Sequence, residues 1–324
     1  MQNPLVTVII PLYNKEKFVS RAISSVLSQT MENFELLIIN DGSTDNSYEI
    51  VKNYLSDKRI RVLTQENKGL PATRNRGILE AKSNLISFLD ADDEWKPQFL
   101  QTIIQMYNRY PGAGIYATSY EDCINGRVKG HSISSLSSNF EGYLPSYFRI
   151  APEHPFCSIC VGIPKYIFES IGYFNENSRM CEDIEMWTKI AIQYPVVYSK
   201  KILARYYHDD ANQMTTTYYP METNPVKEYI SYMSKTGFPE YTDSKSLYRY
   251  MDFVNFETGL FTLGSGNMKT TRNVLRSINE RELILKSKIV IMITYLPNLI
   301  VRFGIFVMKK IIYTYRMFTW DKVT

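Results

Sequence analysis

No glycine-rich cradle follows the first apolar run of this chain, LVTVII (5–10). A dinucleotide pyrophosphate needs a GxGxxG turn at that place, so a dinucleotide-dependent oxidoreductase stands a distant third among the readings below. Cysteine is scarce: there are four. Cys157 and Cys160 make one CxxC, with no second pair and no histidine at zinc spacing. That speaks against a structural zinc and for reduced, inert thiols. A secretory leader is not expected in the opening residues. The opening MQNPLVTVIIPLYN has a short apolar run, rich in β-branched residues and ended by Pro11. That is a strand, and a cytoplasmic location is expected. Excess basic charge is absent from the body of the chain. Residues 284–324 hold seven basic residues against Asp321 alone, which exceeds the net charge of +4. Nucleic-acid binding by the main body is therefore not expected.

What is present is a regular alternation over about the first 120 residues of 324. Strands are predicted over 5–10, 34–40, 60–64, 85–90 and 113–120. Helices are predicted between them over 15–29, 45–55, 70–81 and 98–107. Continuous apolar strands separated by helices imply an α/β fold with a mainly parallel sheet covered on both faces. The pattern breaks around 121–160, where small, polar and glycine residues suggest a long loop or hairpins. Helical spacing returns over 163–172 and 182–193. Two short strands, PVVYS and ILARYY, follow, and weakly periodic helices fill 222–283.

Ligands of an open α/β sheet bind beyond the carboxyl ends of its strands. Here those ends carry chemistry: PLYN after the first strand, NDGSTD after the second, DADD after the fourth. In NDGSTDNS (40–47), Gly42 permits a tight turn and Ser43, Thr44 or Asp45 can cap a helix. A capping turn leaves Asp41 unexplained, and its carboxylate could accept hydrogen bonds from a base or a ribose. Arg74 and Arg76 lie near a glycine-bearing turn, and Arg74 could pair with an anion or hold Asp41. Asp90, Asp92 and Asp93 crowd three like charges together, which raises each pKa unless a cation compensates. A divalent ion with hard oxygen ligands is the economical solution: Mg²⁺ or Mn²⁺, with diphosphate oxygens and water completing its shell. Glu182, Asp183 and Glu185 sit near the start of a predicted helix, where the dipole favours anions. His208 is one of three histidines and follows a strand-like run; a neutral imidazole there could complete a metal shell.

Together these segments resemble the family-2 glycosyltransferases, nucleotide-sugar-dependent enzymes with the GT-A fold. The match runs in order over about residues 5–210: TVIIPLYN (7–14), IINDGSTDNS (38–47), NKGLPATRNRGI (67–78), ISFLDADDEW (86–95), FESIGYFNE (168–176), CEDIEMW (181–187) and RYYH (205–208). The resemblance implies a Rossmann-like nucleotide-binding sheet with helices on both faces. It implies that Pro11, Tyr13 and Asp41 hold the base and ribose of the donor, and that Arg74 supports that pocket. Asp90 and Asp92 match the DxD pair, with Asp92 the direct ligand of Mn²⁺ or Mg²⁺. His208 stands where many members place a metal- or diphosphate-contacting histidine. Asp183 matches the general base, with Glu182 beside it. Trp187 would pack under the acceptor site or, equally, in the core. The implied reaction is a single inverting displacement, from a nucleotide-diphosphate sugar (UDP-sugars being the commonest donors) to a glycan or lipid-linked hydroxyl. The QxxRW of the family's processive polysaccharide synthases is missing, which implies one hexose or N-acetylhexosamine per acceptor. Bacterial surface polysaccharide synthesis is the expected setting. The rival from another class is a nucleotide-sugar-binding protein without catalysis. Intact Asp92, Asp183 and His208 count against it.

The division expected is a GT-A domain over 1–220 and a helical extension over 221–324. Within the extension, IVIMITYLPNLIVRFGIFVM (289–308) has the length of a membrane span. Pro297, Asn298 and Arg302 argue against spanning. Thr294, Asn298 and Arg302 recur every fourth residue as a polar stripe, and lysines bracket the segment. An amphipathic helix on the inner surface of an anionic membrane is expected, with packing on the protein itself as the alternative.

Overall fold

The computed structural model describes residues 3–131, 133–178, 182–208, 226–240, 242–264 and 266–295. The chain divides into two compact units. One comprises Met1–Ala211 and Tyr232–Thr242, the other Asn212–Ser231 and Asp243–Thr324. The expected boundary at 220/221 lies outside the described residues.

The first unit is built on a mixed α/β sheet. Its parallel part holds β1 (Val6–Leu12), β2 (Phe34–Asp41), β3 (Ile60–Gln65) and β4 (Leu85–Phe88), in the order β3-β2-β1-β4. Every residue of β1 and β2 is buried, so both faces of the sheet are covered, as continuous apolar runs require. Helix α1 (Val19–Leu27) buries Val19, Ala22, Ile23 and Val26, one face at helical spacing. Helix α2 (Ser47–Lys52) is short. Helix α3 (Leu70–Glu80) starts after Gly69, whose φ of 86° suits glycine, and carries Pro71 in its first turn. Gly77 brings α3 tight against β1: a Cβ there would lie 2.5 Å from Ile9 Cγ2.

Beyond β4 the sheet becomes mixed. A two-residue strand β5 (Glu94–Trp95) precedes α4 (Phe99–Arg109), and β6 (Ile115–Ile124) then forms a hairpin with β7 (Arg127–Gly130). After β8 (Glu141–Tyr143) and the short helix α5 (Tyr147–Ile150) comes β9 (Val161–Pro164), antiparallel between β4 and β6. Here the structure corrects the helix expected over 163–172. Helix α6 spans only Lys165–Ile171, because VGIP pairs as a strand and Gly162 admits Ile103, whose Cγ2 would meet a Cβ at 2.3 Å. Helix α7 (Glu182–Gln193) leads to β10 (Val196–Tyr207), one twelve-residue strand parallel to β6 in place of the two short ones expected. Its register shifts between Ser199 and Ile202, and the polar Lys200–Lys201 there imitates a break.

The second unit is helical. Helix α8 (Lys227–Thr236) begins in it and ends in the first unit, while α9 (Ser244–Gly264), α10 (Met268–Arg276) and α11 (Arg281–Ile293) belong wholly to the second. Leu263, Leu275, Ile278 and Val290 form its core. The expected polar stripe is corrected in its described part. Thr294 is buried, and its carbonyl and hydroxyl both accept from Arg272, at 3.3 Å. Asn298 and Arg302 lie outside the described residues.

Candidate active site

Strands β1 to β4, β6 and β10 all run the same way, so their carboxyl ends meet along one edge of the sheet. Pro11 is buried within β1 opposite Ile39, and Tyr13, just past the strand, is exposed. The turn after β1 is stitched to the turn after β2. Asn14 adopts a left-handed φ of 51° and accepts the Thr44 N–H on its side-chain oxygen at 2.8 Å. The Lys15 N–H donates to Ser47 Oγ at 2.7 Å, and the Glu16 N–H to Asp45 Oδ2 at 3.0 Å. This is why the polar residues of NDGSTDNS occur as a run. They fasten two turns together, and only part of their work is capping.

Asp41 is buried at the end of β2. Its carboxylate accepts the N–H of Lys68 and of Gly69, both at 2.9 Å, and the Gln65 side-chain amide at 2.7 Å. It therefore shapes the turn that leads into α3. Arg74 is not its partner: of the two expected roles, pairing with an anion or holding Asp41, the structure shows pairing with carboxylates. Arg74, 2% exposed, donates from Nη1 to Glu182 Oε1 at 2.7 Å and from Nη2 to Asp90 Oδ1 at 3.0 Å. One cation thus joins DADD to the start of α7. Burial lowers the Arg74 pKa, but Asp90, Glu182 and Asp183 outweigh burial and hold it fully charged.

Asp183 is half-buried beside this bridge. Burial raises its pKa above that of an ordinary aspartate, and the Arg74 charge opposes the rise. Glu182 is raised by burial and by Asp183, again against Arg74. Trp187, one turn further along α7, is buried against Phe156 and Phe174, which is the core alternative.

Each DADD carboxylate faces a group from elsewhere in the chain. Asp90 has Arg74, and its second oxygen accepts from Ser158 Oγ at 3.3 Å. Asp92 pairs with Lys15 Nζ at 2.7 Å, and its carbonyl accepts from Arg21. Burial raises the Asp92 pKa; Lys15 pulls it down and Asp90 pushes it up. Asp93 is 1% exposed and accepts the Tyr207 N–H at 2.8 Å, while its other oxygen has no partner. Burial drives its pKa well up, with Asp92 and Asp90 adding to the rise. Asp93 ties the DADD turn to β10 one residue before His208.

His208 itself binds Asp122, with Nε2 at 2.8 Å from Oδ1, and His131 Nε2 lies 2.6 Å from Oδ2 of the same carboxylate. Burial raises the Asp122 pKa, but the two histidines overcome this and hold it far below the carboxylate range. Among the described residues, no group of three or more His, Cys, Asp or Glu side chains is arranged to hold a metal. The donor set that does suit Mg²⁺ or Mn²⁺ is the Asp92 carboxylate, since such ions take one or two carboxylates and fill the shell with phosphate and water. Lys15, Asp122 and His131 were not singled out from sequence. Lys15 directly follows the PLYN motif, which was the one available signal for it.

A family model, "Glycosyl transferase family 2", matches residues 7–172. An uncharacterized glycosyltransferase of Rickettsia felis (strain ATCC VR-1525 / URRWXCal2) is 36% identical over 187 residues, 57% of this chain and 30% of that protein. The chain spans between 27 and 36% of the length of this and two other leading curated relatives. Among solved structures, S. aureus TarS 1–349 in complex with UDP-GlcNAc superposes with a TM-score of 0.64 at 17% identity, covering 90% of this chain and 89% of that one. The mannosyltransferase PcManGT from Pyrobaculum calidifontis, in complex with GDP-Man and Mn²⁺, gives 0.58 at 13% identity, covering 94% and 85%. These two likenesses bear out the α/β GT-A fold.

Proposed function

The chain belongs to glycosyl transferase family 2, and on that premise we propose that it moves one sugar from a nucleotide-diphosphate sugar to a hydroxyl of a glycan or lipid-linked acceptor, with inversion. The observation that carries this reading is the Arg74 bridge. It brings DADD, which would face the donor, and the start of α7, which would face the acceptor, to one buried cation.

The roles divide as follows. Pro11, Tyr13 and the turn shaped by Asp41 receive the base and ribose. Asp183 takes the proton from the acceptor hydroxyl as that oxygen attacks the anomeric carbon. A carboxylate raised by burial is the stronger base, and Arg74 keeps it ionised enough to act. Asp92 would hold a divalent cation, Mn²⁺ or Mg²⁺, which when bound would supply positive charge against the leaving diphosphate. Asp93 and Asp122 position His208 at the same edge. UDP-GlcNAc and GDP-Man, the ligands of the two neighbours, are both nucleotide-diphosphate sugars; a UDP-hexose or UDP-N-acetylhexosamine is the donor we expect here. Bacterial surface polysaccharide synthesis is the setting.

We place the reaction at the inner surface of the cytoplasmic membrane. No helix among the described residues is long and apolar enough to cross a membrane. Helix α11 instead buries Ser287 and Val290 and turns Leu285, Ile289 and Met292 outward, 67%, 55% and 71% exposed. Spacings of four and three residues put these on one face. Lys286 and Lys288 flank it, which matches an anionic lipid surface.

The test of function is a panel of nucleotide sugars incubated with the protein and Mn²⁺ without acceptor. Slow release of one sugar, lost in Asp92→Asn, is expected. A folded protein that binds a nucleotide sugar but never turns any over is the non-catalytic rival.

A further inference from the structure

We propose that Lys15 is a resident counter-ion for Asp92, one that competes with a divalent cation for that carboxylate. The proposal rests on the glycosyl-transfer reading above and deepens it, because it concerns how that site is kept before the donor arrives.

Three carboxylates within four residues repel one another and are stable only with compensating charge. The chain supplies that charge itself. Arg74 serves Asp90, and Lys15 serves Asp92, with Nζ 2.7 Å from Oδ2. Lys15 is not a loose surface lysine that happens to fall nearby. Its side chain is 19% exposed and that of Asp92 is 12% exposed. Its backbone is fixed on three consecutive residues: Asn14 by its bonds to Ser43 and Thr44, Lys15 by Ser47 and Glu16 by Asp45. The left-handed Asn14 turns the chain at this point, so the lysine leaves a rigid corner at the end of β1. Arg21, from the helix that follows, holds the Asp92 carbonyl. The loop carrying Asp92 is thereby docked on the β1–α1 segment by its backbone as well as by its charge.

Lys15 holds only Oδ2, but a divalent cation on the same carboxylate would sit close to the ammonium, and the repulsion between the two positive charges makes them compete. With Lys15 in place Asp92 is already neutralised, so a lone Mn²⁺ gains little there. A cation arriving with a diphosphate offers Lys15 another anion to pair with. Release of Lys15 is then compensated only when both arrive. The arrangement would keep the site from loading with metal in the absence of donor.

The experiment is calorimetric titration of Mn²⁺ into the full chain without nucleotide. Wild type is compared with Lys15→Met, which keeps the apolar stem and loses the charge, and with Lys15→Arg, which keeps the charge. Asp92→Asn reports whether binding is at this carboxylate, and thermal melts report folding. Lys15→Met should bind Mn²⁺ about tenfold more tightly than wild type, from removal of one nearby positive charge. Lys15→Arg should stay within about twofold of wild type, since its charge is the same. Unchanged or weaker Mn²⁺ binding in folded Lys15→Met, with binding still lost in Asp92→Asn, overturns the counter-ion role alone. Binding in every variant that ignores Asp92→Asn, or no binding in any, overturns the metal role of Asp92 and the counter-ion role with it.

Discussion

The Arg74 guanidinium lies 2.7 Å from the Glu182 carboxylate, across 108 residues of sequence and in near-complete burial. The other arm of the same guanidinium holds Asp90. A planar fork can serve two carboxylates at once, which a lysine ammonium on a flexible stem does poorly.

Arg74→Met should therefore be strongly destabilising, because it leaves Asp90 and Glu182 without their buried cation. Losing one partner of a buried pair costs about 3–5 kcal/mol. Arg74→Lys should fold but transfer more slowly, since one ammonium cannot hold both motifs in place. Urea unfolding and transfer rate check the two effects. A Met variant with wild-type midpoint and turnover would show that the bridge organises nothing.

Asp183→Asn should keep its shape and lose the ability to accept a proton. A positioned base contributes typically 10²–10⁴-fold in rate, about 3–5 kcal/mol of barrier. Donor affinity should hardly change, because Asp41, Asp92 and the β1 turn are untouched. Single-turnover transfer and donor titration on the same preparation make the comparison. Near-normal turnover would move the base to Glu182 or Glu185.

The pH profile should carry the same group. The Asp183 pKa is raised by burial more than Arg74 lowers it. Transfer should therefore be level above that raised value and fall about tenfold per pH unit below it, with the midpoint above the 3.8 of an ordinary aspartate. The sign for stability is the reverse. A raised carboxylate stabilises the fold below its unfolded pKa, and that contribution is lost as pH rises through the folded value. Asp183→Asn should accordingly be no less stable than wild type at neutral pH. A kcat/KM that stays level down to pH 4 would remove Asp183 from the role.

Much of the first unit was legible in the sequence, and the reasons are local. Strands β1 and β2 are buried on both faces, so their apolar runs are continuous and end at turn residues. Strand β9 was not legible. Four residues, VGIP, carry too little pattern, and they become a strand only because β4 and β6 flank them. Strand β10 read as two because Lys200 and Lys201 sit at its register shift. In the site, DADD and CED stood out as like charges at the ends of elements. Arg74 stood out as well, but Lys15 and the pairings themselves did not. Lys15 lies 77 residues from Asp92. Asp122 and His131 lie on the β6–β7 hairpin and just beyond it, respectively, where no period marks them. The pairing of Arg74 with Asp90 and Glu182, and not with Asp41, depends on how α3 and α7 pack. Spacing along the chain does not report that.

Helix α11 yields the last prediction. Leu285, Ile289 and Met292 expose apolar surface on one face, while the opposite face closes over Leu263, Leu275 and Ile278. If that outer face enters a lipid surface, binding combines buried apolar area with attraction to anionic headgroups. The full chain should then pellet with vesicles of anionic lipid and much less with neutral ones. Pelleting should weaken as salt rises, because charge attraction is screened within about 10 Å at 0.1 M. Replacing Ile289 and Met292 together by Ser removes two exposed apolar side chains without touching the core. Each is worth about 1.5–3 kcal/mol if fully buried, so the pair accounts for a loss of at least tenfold in vesicle affinity even at partial burial. Transfer to a soluble acceptor should be unaffected, which separates docking from catalysis. Equal pelleting of wild type and the double variant would mean that the outer face of α11 stays clear of the bilayer.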